Sequence, residues 1–260
     1  MKTTSTLVLI TALVAAPFLN GEPVTDETRT RALAASTVEQ WQEAEPVLVA
    51  LTSDSSSDVE ALVKLHELRL RQKRTKEAVG LLERAVALKP ADSGLHSTLG
   101  NALSQRIGEV NFIHQGLVAG RMLEAYKKSV ELDENNLTGW IGLCRYHLHA
   151  PAIAGGSEEK ALAYASEVEK RQPHLGAMER GLILEKRGNI DAAAAEFERA
   201  SQLKPDDAQV WISVGDFHRR QGRMEQARNA YQSALSRTPG MTAAEEGLRQ
   251  LESAKGESRS

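Results

Sequence analysis

An all-α fold made of repeated helical hairpins is predicted by three features of this 260-residue sequence. Hydrophobic residues make up 41% of the chain but aromatics only 4%, with Leu and Ala abundant. Few segments alternate apolar with polar residues as half-buried strands do. Finally, Pro205 and Pro239 stand 34 residues apart, and the residues before each fall into the same order of small, bulky and glycine positions. The formal charge is −3 and the basic residues are scattered, so a nucleic-acid partner is not expected.

At the N-terminus, residues 1–21 read as a secretory signal. Lys2 precedes the apolar stretch Leu7 to Leu19, which is broken by Pro17 and too short to span a bilayer comfortably. Leu19-Asn20-Gly21 offers compact residues before a cut after Gly21; the alternative is an uncleaved N-terminal anchor. No other apolar run approaches a membrane span, so no integral membrane segment is expected after signal removal. Cys144 is the only cysteine, which forbids an intramolecular disulfide and leaves no lipidation cysteine behind the signal. A free periplasmic or secreted product is therefore expected. Asn136-Leu137-Thr138 is a formal glycosylation acceptor of a kind that is frequent by chance.

The best-formed unit, 208–241, carries Trp211, Gly215, Gly222, Ala227, Tyr231, Ala234 and Pro239 at positions 4, 8, 15, 20, 24, 27 and 32. Residues 174–207 supply Gly181, Gly188, Ala193, Phe197, Ala200 and Pro205 in the same places. This pattern closely resembles the tetratricopeptide repeat, and the resemblance implies an αα solenoid wound into a right-handed superhelix. The residue types have physical reasons. Small residues at 8, 20 and 27 let helices approach, and bulky ones at 4 and 24 fill the gaps. Glycine at 15 accepts a positive φ, and proline at 32 stops the second helix. One hairpin cannot bury its apolar stripe alone, so several must stack.

The same frame reads backward through 137–173, 93–136 and 59–92 to a degenerate copy at 26–58, giving five to six hairpins. Within 59–92, His66 stands where a small residue is expected. Ala244, Leu248 and Leu251 suggest a capping helix over 242–252, and 253–260 is a polar tail. Two units are lengthened. Unit 93–136 holds ten extra residues, and its Ile107, Val110, Phe112, Ile113, Leu117 and Val118 are spaced to extend both helices, leaving Phe112 or Ile113 near an exposed tip. Unit 137–173 holds five extra residues in its turn, where Pro151 closes one helix, Gly155-Gly156 reverses the chain, and Ser157 with Glu158 and Glu159 starts the next. A lengthened repeat followed by such a turn resembles a subset of exported bacterial tetratricopeptide proteins.

No phosphate loop, dinucleotide fingerprint, nucleophile elbow or zinc-helix pair occurs, and no cofactor is expected. Cys144 occupies the small-residue position 8 and reads as a buried thiol. His147 and His149, with His114 in the neighbouring insertion, raise a metal hypothesis, but residues two apart on a helix do not share a face. A metal- or thiol-dependent enzyme is thus the alternative, favoured only if those histidines converge. The leading expectation is a scaffold whose groove, lined by the first helices, holds another protein or peptide in an envelope or secreted assembly. Its candidate contacts are Asn101, Ile141, Arg145, Met178, Lys186, Asp216 and Arg219, with Ser97 and Ile212 on the same wall and Phe112 and Ile113 on the lengthened hairpin. The two-carboxylate clamp of some family members is incomplete: Asn101 matches, but Ser97 replaces its lysine and Gly142 its second asparagine.

Overall fold

The computed structural model describes residues 18–19, 22–53 and 58–257. Most of the expected signal, with its Gly21 cut point, lies outside the described residues, as do 54–57 and the last three residues of the tail. Among the described residues a two-residue strand pair, β1 Phe18–Leu19 with β2 Glu22–Pro23, precedes thirteen α-helices. Six hairpins follow: α1 Asp26–Leu33 with α2 Val38–Leu51, α3 Val59–Arg71 with α4 Thr75–Leu88, α5 Ser93–Ile107 with α6 Phe112–Leu132, α7 Leu137–His149 with α8 Glu158–Arg171, α9 Pro173–Lys186 with α10 Ile190–Leu203, and α11 Ala208–Arg220 with α12 Met224–Arg237. The last helix, α13 Thr242–Glu257, covers the exposed end of the final hairpin, packing Ala244 and Leu251 against Tyr231 and Ala234.

The starts of the first helices repeat one device. Asp58, Asp92, Asn136 and Asp207 each accept a backbone N–H of the first turn, while Pro173 takes the first helical position of α9, where a missing N–H costs nothing. Their ends repeat another. Gly188 and Gly222 adopt φ of 82° and 70°, and Lys73 holds the same place with φ 58°. In all three, the next residue's N–H reaches back five positions, as in Arg74 to the Arg69 carbonyl at 2.8 Å. Lys73 carries the steric penalty that glycine avoids at its two counterparts.

Packing is by wedge and gap. Tyr126 sits between Gly100 of its own hairpin and Gly142 of the next: a Cβ at Gly100 would stand 2.5 Å from the ring, and one at Gly142 closer still. Tyr231 is wedged in the same way between Gly215 and Gly247, where a Cβ would stand 2.6 and 2.5 Å from its ring. His66 fits the tight position 8 because its ring meets the Ala78 carbonyl at 3.2 Å. In two units the Trp at position 4 donates its indole N–H to a carbonyl of the preceding linker, Trp140 to Glu134 and Trp211 to Pro205, both at 2.8 Å. Arg171 and Arg237, from the end of the second helix, stack over these rings at 4.9 and 4.6 Å and donate to the same carbonyls. Each such clamp ties both helices of a hairpin to the chain that enters it.

Candidate functional site

Among the first helices, α5 contacts α7 and α7 contacts α9, Arg220 of α11 reaches Glu185 of α9, and Leu62 of α3 shares a core cluster with Leu95 of α5; in a stack of hairpins this row forms the concave wall. The second helices, facing outward, consume the opposite stripe of each. What the wall presents depends on position within the repeat. Position 5, expected to face the groove, is closed off by the neighbouring hairpin: Ser97 is 4% exposed and Ile212 3%, and Ile141 is half-buried. Met178 corrects the expectation most clearly. It lies in a core cluster with Phe197, Val210 and Val214, because α11 packs directly over it. Exposure moves instead to position 13, where Gln105, His149, Lys186 and Arg220 are open to solvent, and to Glu67, Asn101 and Arg145 at position 9.

Position 9 is not free for a partner in the way its polarity suggests. Tyr126 Oη donates to Asn101 Oδ1 at 2.8 Å, and Tyr231 Oη donates to Asp216 Oδ1 at 2.7 Å. Arg219 closes the second set, with Nε donating to Tyr231 Oη at 3.1 Å and Nη2 to Asp216 at 3.3 Å. Burial and the Asp216 carboxylate push the Tyr231 phenol up to about 12. Asn101 and Asp216, expected as groove contacts, are therefore also needed to satisfy the wedging tyrosines. A sequence signal for this existed. The unit with Phe197 at position 24 has Leu182 at position 9, and the units with tyrosine there have Asn101 or Asp216.

Arg145, the third position-9 residue, spans two hairpins. Its Nη2 donates to Glu179 Oε1 at 2.7 Å and its Nε donates to both carboxylate oxygens at 3.1 and 3.2 Å. The partners are unequal, since the Arg145 side chain is 52% exposed and that of Glu179 only 2%. Lys186 is also engaged, donating to the Leu148 carbonyl at the end of α7. On α11, Arg220 Nη2 meets Glu185 at 2.7 Å, tying α11 to α9. Two cross-helix ion pairs and one lysine–carbonyl contact thus link α7, α9 and α11, and their cationic ends face solvent.

The histidines do not converge. His114 bonds its own cap residue Asn111 at 2.7 Å in the first turn of α6. The His147 ring meets the Gly155 carbonyl at 2.8 Å and stacks on Tyr164 at 5.4 Å, inside the turn that follows α7. His149 faces the groove near Lys186 and Arg145, which with burial lower its pKa. Cys144 is 0% exposed, and burial pushes its thiol well above the usual range. Among the described residues, no group of three or more His, Cys, Asp or Glu is placed to share a metal ion.

The lengthened units differ in kind. Tyr146 Oη donates to the Ala154 carbonyl at 2.7 Å and the Ser157 N–H to the His147 carbonyl at 2.9 Å, fastening the turn between α7 and α8. Gly155 adopts φ 86°, and a Cβ on Gly156 would strike the Ala150 carbonyl. Ile153 is left 98% exposed at the crest of this turn. In the other lengthened unit the extra residues go mainly to α6, 21 residues long, whose first turns present Phe112 at 85% and Ile113 at 78% exposure. No helix of the described residues is long and apolar enough to cross a membrane.

These features define a class: an αα solenoid of hairpins with a polar concave wall and an apolar protrusion. The tetratricopeptide repeat model matches residues 29–93 and 178–242, half of the 260-residue chain. The chain belongs to the tetratricopeptide repeat family. A tetratricopeptide repeat protein from Parabacteroides merdae shares the fold with a TM-score of 0.60 at 15% identity, over 82% of this chain and 78% of that one. A thermophilic tetratricopeptide repeat protein of Thermus thermophilus gives 0.57 at 20% identity, over 74% and 98%. Human protein O-mannosyl-transferase TMTC1 is 26% identical over 199 residues, covering 74% of this chain but 21% of its own length. The chain thus spans about a fifth of that curated relative.

Proposed function

We propose that this chain is an exported scaffold that holds a protein or peptide segment along its concave wall during assembly of an envelope or secreted complex. The observation that carries the reading is the row at positions 9 and 13. There, Arg145 on α7 and Arg220 on α11 remain solvent-facing although their carboxylate partners Glu179 and Glu185 are buried or half-buried, and Lys186 on α9 stands exposed between them on a backbone carbonyl. A carboxylate-bearing segment laid along this row would exchange water for charge-assisted hydrogen bonds to Arg145, Lys186 and Arg220. The fold supports binding rather than chemistry, since no residue set on the wall has the geometry of a nucleophile with its base. The apolar stretch before Glu22 supports export.

The test uses photo-crosslinking residues placed at Gln105 and His149 on the wall and at Gln202 on the convex side. Crosslinks to one envelope protein from Gln105 and His149, absent from Gln202, are expected. Equal crosslinking from all three removes the groove from the reading. Recovery of membrane-bound chain that retains Met1 removes the export.

A further inference from the structure

We propose that the lengthened hairpin is a self-association surface, and that α6 pairs antiparallel with α6 of a second copy. The inference is independent of the groove reading, because this surface lies on the outward helix. On α6, Ile113, Gly116, Leu117 and Gly120 fall within an arc of about 100° facing away from the buried Val118, Met122 and Ala125. Ile113 is 78% exposed and Leu117 67%, with Phe112 at 85% beside them. The 3-10 turn carrying Ile153 lies against the same helix. Elsewhere in the helix interiors, glycines 100, 139, 142, 176, 181, 215 and 247 leave no room for a Cβ, which explains their presence, and among the described residues only Gly80 of α4 shares the freedom of the α6 pair. A Cβ on Gly116 or Gly120 would meet nothing within 4 Å. Two helix-weakening residues on an exposed face therefore serve no contact within the chain.

The patch holds both knobs and holes, and it is self-complementary about one point. A two-fold axis between residues 116 and 117 sets Ile113 opposite Gly120 of the second copy and Leu117 opposite its Gly116, and symmetry repeats both contacts. Between Phe112 and Arg121 no charged side chain falls inside the arc; further along it Glu124 and Lys127 pair with each other at 2.9 Å, and in this register they lie beyond the stretch where the two helices overlap. Arg121 at its edge is turned to Glu83 of α4, so no cationic rim of the kind that anionic lipid would engage surrounds it. Together Phe112, Ile113 and Leu117, with the exposed backbone at Gly116 and Gly120 between them, would remove roughly 500 Å² per copy, or roughly 1,000 Å² in total, the lower bound of a specific interface. A reversible dimer is expected.

Sedimentation equilibrium of the purified protein between 1 and 100 µM should show the mass rising toward twice that of one chain. The I113D/L117D variant should stay at one chain mass throughout with unchanged helical content. Gly120→Leu, which fills the hole while favouring the helix, should weaken the dimer at least tenfold without loss of folding. Under mild oxidation Gly116→Cys should form an interchain disulfide, and Glu131→Cys, further along the same helix, should not; buried Cys144 stays silent. A single-chain mass at 100 µM overturns the proposal, whether the patch then binds phosphatidylcholine vesicles or a different protein. Dimers that survive both I113D/L117D and Gly120→Leu, or that crosslink at Glu131→Cys in preference to Gly116→Cys, overturn it as well.

Discussion

Replacing Arg145 separates the two roles that the concave wall combines. Glu179 is 2% exposed, and the guanidinium of Arg145 donates to both of its carboxylate oxygens between 2.7 and 3.2 Å. Removing one partner of a buried pair typically costs about 3–5 kcal/mol, because the remaining charge loses its compensation. Here the cation is more than half exposed and water can follow it out, so about 2–3 kcal/mol is expected for Arg145→Ala, with more for Arg145→Glu, which places a second anion beside the first. From the sequence alone Arg145 reads as a surface residue whose reversal stays within about half a kcal/mol; the burial of Glu179 reverses that expectation. The assay is urea unfolding followed by helical circular dichroism, comparing wild type, Arg145→Ala, Glu179→Met and the double variant. The double variant should recover to within about 1 kcal/mol of wild type, since a buried pair replaced by apolar groups is often neutral. A single variant within about half a kcal/mol of wild type, or a double variant no better than Arg145→Ala, would refute the reasoning. Loss of partner binding in the recovered double variant would then report on the groove cation itself, free of the folding effect.

Lys73→Gly should raise stability by about 0.5–1 kcal/mol by relieving the positive φ, and Gly222→Ala should lower it by a similar amount; opposite shifts in the urea midpoint check both. Phe197→Tyr should destabilise by about 1–3 kcal/mol, because Leu182 offers its hydroxyl no acceptor, and adding Leu182→Asp should restore most of the loss. The protein should weaken in mild acid. Burial holds His66, His147 and His174 neutral, with pKa values below the free value of about 6.5, so their unfolded forms bind protons first as pH falls. Stability from these rings is complete above about pH 6.5 and declines as pH drops through that window; a urea midpoint that stays constant between pH 7.5 and 5 would contradict this assignment.

The solenoid was legible because its signals are local and repeat. Gly215 and Tyr231, or Gly181 and Phe197, recur at one spacing, and a wedge needs its gap wherever the wedge occurs. The incomplete clamp has a structural reason of the same kind: Gly142 cannot carry an asparagine side chain, because Tyr126 of the preceding hairpin occupies the space. The wall was less legible. Its exposure is decided between hairpins, by contacts with no fixed sequence offset. Met178 looks equivalent to a groove residue on its own helix and becomes core only when α11 closes over it. Glu179, the most consequential charge on the wall, was hidden for the same reason: nothing on α9 shows that it faces Arg145 of the preceding hairpin.

What a partner can use follows from this division. Asn101 and Asp216 are already acceptors for buried tyrosines, so their charge and type are constrained from within. His149, Lys186 and Arg220 have weaker internal constraints than Arg145, because each is solvent-facing, Lys186 bonds only a backbone carbonyl, and the Glu185 carboxylate facing Arg220 keeps some access to water where that of Glu179 has almost none. Substitutions at these three can therefore change recognition without unfolding the array. The free part of the wall thus shifts toward the ends of α7, α9 and α11, away from the middle turns where position 9 serves the core.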